Sequence, residues 1–275
     1  MIFVKITTLI ENHENKGKHL IGEHGLSLLI EADGKRILFD TGQTDAFLEN
    51  AKKLKVDVRN VQTVVLSHGH YDHTGGMKAL LRTGYQGDIL VGKGFFNPKY
   101  KKLPDGNWKY NGISLTQEDT TANIIDEPCY KISENLMIFR GFEKRNDFEK
   151  PNPHFFIKRE EEFVLDEFGD EICLGIKTQK GIILVAGCSH VGIINMVQTV
   201  KKETGIKIRG IIGGTHLVEA DERRLNETVE ALKKEQLEFL AVSHCTGEQH
   251  MERLRREFGS RFIENITGNI MEFDT

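Results

Sequence analysis

Leu66-Ser67-His68-Gly69-His70-Tyr71-Asp72-His73-Thr74-Gly75-Gly76 (LSHGHYDHTGG) begins at the end of the apolar run Thr63-Val64-Val65-Leu66. Short apolar runs rich in β-branched residues read as buried strands, and ligands of α/β sheets gather just past the carboxyl ends of such strands. His68 and His70 alternate across one residue, so in extended chain both rings face the same way. Asp72 and His73 follow where the chain bends toward a helix. The stretch could be an exposed polar loop. Its concentration of imidazoles and a carboxylate points instead to half of a metal site, because these ligands suit Zn²⁺, Mn²⁺ or Fe²⁺. Gly69, Gly75 and Gly76 let the backbone turn tightly beneath such ligands.

Three other apolar runs end in the same manner: IILVAGCS before His190, GIIGGT before His216 and LEFLAVS before His244. A lone histidine after a strand is usually structural. Four in equivalent places, in a chain with 11 histidines, suggest one shared site at a common sheet edge. Cys188 and Cys245 lie beside two of these histidines, either as small buried thiols or, for Cys188, as a ligand.

The 275 residues carry 39% hydrophobic residues and a net charge of −4. That is enough apolar material for a large core, and Lys and Arg are scattered among Asp and Glu. No basic stripe offers itself to nucleic acid. No run approaches the length of a membrane span, and the N-terminal residues read as a first strand, so a cytoplasmic protein acting on a small molecule is expected. Four cysteines without a CxxC pair fit a reduced compartment.

Residues 26–31 and 36–39 read as a hairpin across Ala32-Asp33-Gly34-Lys35. A helix is expected from Thr44 to about Lys55 and another over about Thr74 to Arg82. The pattern then loosens, and residues 84–112 read as a loop insertion punctuated by turns. Strands follow at about 136–140, 155–158 and 171–178, with Pro151-Asn152-Pro153-His154 as a surface loop placed as a flap over a pocket. The last third alternates strands at 181–186, 207–212 and 237–242 with helices at 191–203, 221–236 and 248–258, before two short closing strands. One domain over 1–275 is expected.

His68-Gly69-His70-Tyr71-Asp72-His73 resembles the HxHxDH motif of the metallo-β-lactamase-fold hydrolases, and Leu38-Phe39-Asp40-Thr41-Gly42 resembles their upstream Asp-Thr-Gly turn. The resemblance implies an α/β fold, the αββα metallo-β-lactamase sandwich, with metals at one edge between two sheets. EHGLSLLIE, LSHGHYDHTGG, GCSHVGIIN and SHCTG look like the dihydropteroate-synthase-type branch of methanopterin biosynthesis. On this resemblance His68 and His70 hold a first metal, while Asp72, His73 and His244 hold a second. Two departures stand out. The family's third histidine for the first metal belongs where this chain has Gly141-Phe142, and its bridging aspartate belongs where this chain has Cys188. His190 is therefore expected to complete the first metal site. Asp40 is expected to orient the motif loop, and His24 to lie at the pocket mouth or on an exposed loop.

The chemistry so implied is hydrolysis of a phosphate-bearing or ester small molecule by a hydroxide held on two divalent ions, zinc first, with manganese, iron or magnesium also suited. Asp72 would orient the hydroxide and take its proton, and His216 would donate to the leaving group or its charged oxygen. The same residues would also serve a transferase that couples a dihydropterin diphosphate to an aminobenzene ribofuranosyl phosphate. A metal-binding sensor without turnover is a third reading.

Overall fold

The computed structural model describes residues 3–144 and 146–274; Met1 and Ile2 of the expected first strand, Arg145 and Thr275 lie outside them. A seven-stranded sheet runs, edge to edge, through Ile270–Asp274, Phe3–Ile10, Ser27–Ala32, Lys35–Phe39, Thr63–Leu66, Asp88–Gly92 and Ala122–Ile125. A six-stranded sheet runs through Phe239–Val242, Ile208–Gly213, Gly181–Ala186, Cys173–Thr178, Leu136–Phe139 and Cys129–Lys131. Strand alternation explains how they stack. Ile37, Phe39 and Val65 point into a core shared with Ile183, Val185 and Ile212. Their sequence neighbours Leu38, Val64 and Leu66 face outward against Phe47, Ala51, Met77 and Leu80, from the helices Ala46–Lys53 and Met77–Arg82. Ile182 and Leu184 face the helices Ile193–Thr204, Glu222–Lys234 and Glu248–Phe258 on the opposite side. The layers are thus helix, sheet, sheet, helix.

The hairpin forms as expected: Asp33 and Gly34 both take positive φ, 50° and 71°, the geometry of a tight two-residue connection. Elsewhere the structure corrects the sequence reading. The helix expected over 74–82 forms only over Met77–Arg82, preceded by the separate turn Tyr71–Thr74. Residues 84–112 are not an irregular loop. They hold Asp88–Gly92 of the main sheet and two strands, Lys99–Lys102 and Trp108–Tyr110, which join Phe155–Arg159 and Glu162–Leu165 in a small four-stranded sheet. Their polar sequences hide this, because Lys99 is buried between Asp166 and Asp170, at 2.6 and 2.8 Å. At the C-terminus one strand forms, with Phe262 reduced to a single bridge to Leu240.

Thr63–Leu66 runs parallel to both its neighbours, and Gly181–Ala186, Ile208–Gly213 and Phe239–Val242 run parallel to one another. Ala186 pairs with Gly213, which pairs with Val242. The chain segments leading to His190, His216 and His244 therefore leave one edge together, opposite the segment leading to His68.

Candidate metal centre

At this edge the motif loop is held from below. Asp40, fully buried and at φ 59°, accepts the Ser67 backbone N–H at 2.7 Å and the Ser67 hydroxyl at 2.8 Å. It also accepts from His73 Nδ1 at 2.7 Å. Ser67 Oγ in turn lies 2.9 Å from His68 Nδ1. Asp170 accepts the Gly69 N–H at 2.9 Å. Gly69 is glycine because a Cβ would come within 2.4 Å of the Phe95 carbonyl. These contacts orient the rings before any ligand arrives, as metal-ligating histidines require.

Three triplets of donor atoms converge within 4.8 Å: His68, Cys188 and His190; His73, Cys188 and His244; and His24, Asp72 and His244. His73 Nε2 lies 3.1 Å from Cys188 Sγ and 3.2 Å from His244 Nε2. Asp72 Oδ2 lies 3.2 Å from His24 Nε2 and 3.4 Å from His244 Nε2. His70 stands beside the first triplet, its Nδ1 3.0 Å from His68 Nε2. His70 Nε2 and both ring nitrogens of His190 are buried with no partner among the described residues. Buried polar atoms are almost always satisfied, so these orphaned nitrogens, with the imidazole, carboxylate and thiol donors around them, fit divalent metal ions.

Charge follows the same logic. Burial pushes His68, His70 and His190 well below the usual imidazole range, which keeps them neutral with lone pairs available. Burial raises Asp72, but His73, His24 and His244 outweigh it and hold the carboxyl well below its usual value. Its hydrogen bond to Asp72 comes first in raising His24. His216 is pushed down to about 4, chiefly by burial.

The donors open into a cleft of about 430 Å³ lined also by Asn12, Lys101, Lys109, Asn111, Phe155 and Glu219. His216 belongs to that cleft, 4.2 Å from His190 between ring centres, but to none of the donor triplets. His24 is half-exposed at the mouth, and its contact with Asp72 ties it to the donors. Pro151 to His154 do not cover this cleft. They line a neighbouring hollow with Phe148 and Arg224, joined to the first through Glu219. Sequence reading missed several supports. Phe168 stacks on His190 at 3.9 Å. Glu171 accepts the His190 and Val191 N–H groups at 2.9 and 2.8 Å, and Asn12 lies 2.8 Å from His244 Nδ1. None carries a local signal, since each reaches its partner across the fold.

The sequence profile of the metallo-beta-lactamase superfamily matches residues 20–168, which include the whole motif. The chain belongs to the metallo-beta-lactamase superfamily. Among relatives in it, the 7,8-dihydropterin-6-methyl-4-(beta-D-ribofuranosyl)-aminobenzene-5'-phosphate synthase of Methanocaldococcus jannaschii is 32% identical, over 98% of this chain and 97% of its own. An uncharacterised protein of the same organism is 35% identical over 92% of this chain and 95% of its own. The solved structure of a metal-dependent hydrolase of the superfamily superposes with a TM-score of 0.87 at 29% identity, covering 99% and 100% of the two chains. Against the superfamily's usual pattern, Phe142 is partly buried against the outer core, whereas His190 stands at the donors. Among the described residues no helix is long and apolar enough to cross a membrane.

Proposed function

We propose that this superfamily member is a metal-dependent transferase that joins a dihydropterin carrying a methyl diphosphate to an arylamine bearing a ribofuranosyl phosphate. The observation that carries this reading is the near full-length similarity to the synthase of M. jannaschii. In the reaction the amine nitrogen bonds to the pterin methylene carbon, the carbon–oxygen bond breaks, diphosphate leaves with the electron pair, and the amine loses a proton.

In this reading His68, His70 and His190 would hold one divalent ion, and Asp72, His73 and His244 a second, with Cys188 beside both. When bound, such ions would neutralise charge on the departing diphosphate oxygens. Asp40, Ser67 and Asp170 keep the donors aligned. Asp72 is held ionised and can accept the amine proton. His216, neutral at pH 7, can donate an N–H hydrogen bond to a charged oxygen but has no extra proton to transfer. Phe168, stacked on His190, excludes water from that face of the ring.

Likeness to a metal-dependent hydrolase over the full chain supports a second reading, in which the same donors cleave a phosphate-bearing or ester small molecule with water. Incubating the metal-loaded protein with the dihydropterin methyl diphosphate, with and without the arylamine phosphate, separates the readings. The coupled product is expected. Release of the pterin alcohol alone would favour hydrolysis, and bound metal with neither product would favour a binding protein.

A further inference from the structure

The inner face of the four-stranded sheet carries more cations than it neutralises. Lys99–Lys102 and Trp108–Tyr110 run antiparallel with Lys101 directly opposite Lys109, and Phe155 lies opposite Lys101 on the other side. Alternation puts Lys99, Lys101 and Lys109 on one face and Tyr100, Trp108 and Tyr110 on the other. Lys99 is answered by Asp166 and Asp170, and Lys101 by Glu219 at 2.9 Å. Lys109 has no carboxylate partner among the described residues; its ammonium lies 5.8 Å from the Tyr71 ring centre. Like charges directly opposite one another weaken a strand pair, so this pairing needs a compensating use.

Their position supplies one. Both lysines line the cleft that holds the donors. Lys101 Nζ is 5.2 Å from the Phe155 ring centre, and that ring is 5.3 Å from both His70 and His190. The Lys109 strand is also tied to the motif loop. Tyr71 donates its N–H to the Asn111 carbonyl at 3.3 Å, and His70 forms a bridge with Gly112. The two cations therefore stand at a fixed remove from the donors.

We propose that Lys101 and Lys109 form an anion subsite at the cleft mouth for a phosphate or diphosphate group whose other end reaches the histidine, aspartate and cysteine donors. The occupant's identity rests on the transferase reading, but the subsite rests on the paired lysines. Lysine acts on phosphate as a compact point charge, and Glu219 holds Lys101 in place until an anion competes for it.

Isothermal titration of the metal-loaded protein with inorganic phosphate and with pyrophosphate, at low and moderate salt, tests this. Lys109→Gln should weaken pyrophosphate binding about tenfold, Lys109→Arg should retain most of it, and Glu219→Gln should tighten it. Metal content should stay at the wild-type level in all three, because none of these residues is a donor. No binding to the wild type, or unchanged affinity in Lys109→Gln and in the Lys101→Gln, Lys109→Gln double variant, would overturn the subsite. Lysine-dependent pyrophosphate binding without coupled pterin product would keep the subsite and reject the transferase. Coupling that is indifferent to both lysines would do the reverse.

Discussion

Replacing Asp40 by Asn changes one oxygen to an NH₂ in a fully buried group and should weaken metal binding without costing the protein its fold. A carboxylate only accepts hydrogen bonds. Asp40 takes three, from the Ser67 N–H, the Ser67 hydroxyl and His73 Nδ1, at 2.7, 2.8 and 2.7 Å. His73 must therefore carry its proton on Nδ1 and keep the Nε2 lone pair free toward Cys188 and His244. With the hydroxyl committed to Asp40, Ser67 Oγ accepts from His68 Nδ1 at 2.9 Å, which frees His68 Nε2 as well. One carboxylate thus sets two tautomers. In Asp40→Asn the amide oxygen can keep the Ser67 N–H, but the NH₂ faces His73 Nδ1 and must donate to it. His73 then shifts its proton to Nε2 and loses its ligating lone pair. Losing a partner of this kind weakens metal binding about 10- to 100-fold, or roughly 1.4 to 2.8 kcal/mol. Competition against a chromogenic chelator measures the affinity, and long-range ¹H–¹⁵N spectra of the histidine rings report the tautomer. Wild-type affinity with His73 still protonated on Nδ1 would refute the reasoning.

Glu171 is fully buried, and burial pushes its carboxyl from 4.5 up to about 8. Folding then binds a proton between those values, so metal-free protein should lose stability as pH rises from about 4.5 to 8, by at most about 1.4 kcal/mol per unit. Melting curves should show that slope flattened in Glu171→Gln, and an unchanged slope would reject the assignment. Lys99→Met leaves Asp166 and Asp170 without their cation and should cost about 3 to 5 kcal/mol in urea unfolding; a loss under about 1 kcal/mol would mean that the carboxylates find other partners. His190→Ala breaks no ring hydrogen bond among the described residues; it forfeits the Phe168 stack, about 0.5 to 1.5 kcal/mol, and the looser ring contacts with His68, His70, Phe155 and His216. It should fold and, on the proposed assignment, lose the ion assigned to His68, His70 and His190 while keeping the one assigned to Asp72, His73 and His244, as elemental analysis would show.

What could be read from the sequence was what the chain writes locally. His68 to His73 lie on one turn after one strand, so spacing alone places them. His190, His216 and His244 were legible because parallel strands share an edge and each run ends in the same way. The small sheet was not legible. Lys-Tyr-Lys-Lys reads as a surface segment until Asp166 and Asp170, more than 60 positions later in the chain, arrive to neutralise Lys99. Glu171 and Phe168 meet His190 only when the strands Cys173–Thr178 and Gly181–Ala186 pair, and Asn12 reaches His244 only once the two main sheets have stacked.

Cys188 is where sequence and geometry meet most sharply. The resemblance put it in the place of a bridging aspartate, and its sulfur belongs to both the His68–His190 triplet and the His73–His244 triplet. Burial and then the hydrogen bond it donates to Cys245 push the thiol well above its usual value, whereas a bound cation would deprotonate it outright. A thiolate is one soft donor atom, while a carboxylate offers two hard oxygens that can span two ions. The backbone beside it runs close against the motif loop, since a Cβ on neighbouring Gly187 would sit 2.1 Å from Ser67 Oγ. Cys188→Asp should therefore place oxygens where the sulfur now lies and move metal preference from zinc toward manganese and magnesium. Competition between the ions, followed by elemental analysis of both proteins, reads this directly. If the two proteins select the same metal in the same ratio, the Cys188 sulfur is packing against the site and not binding within it.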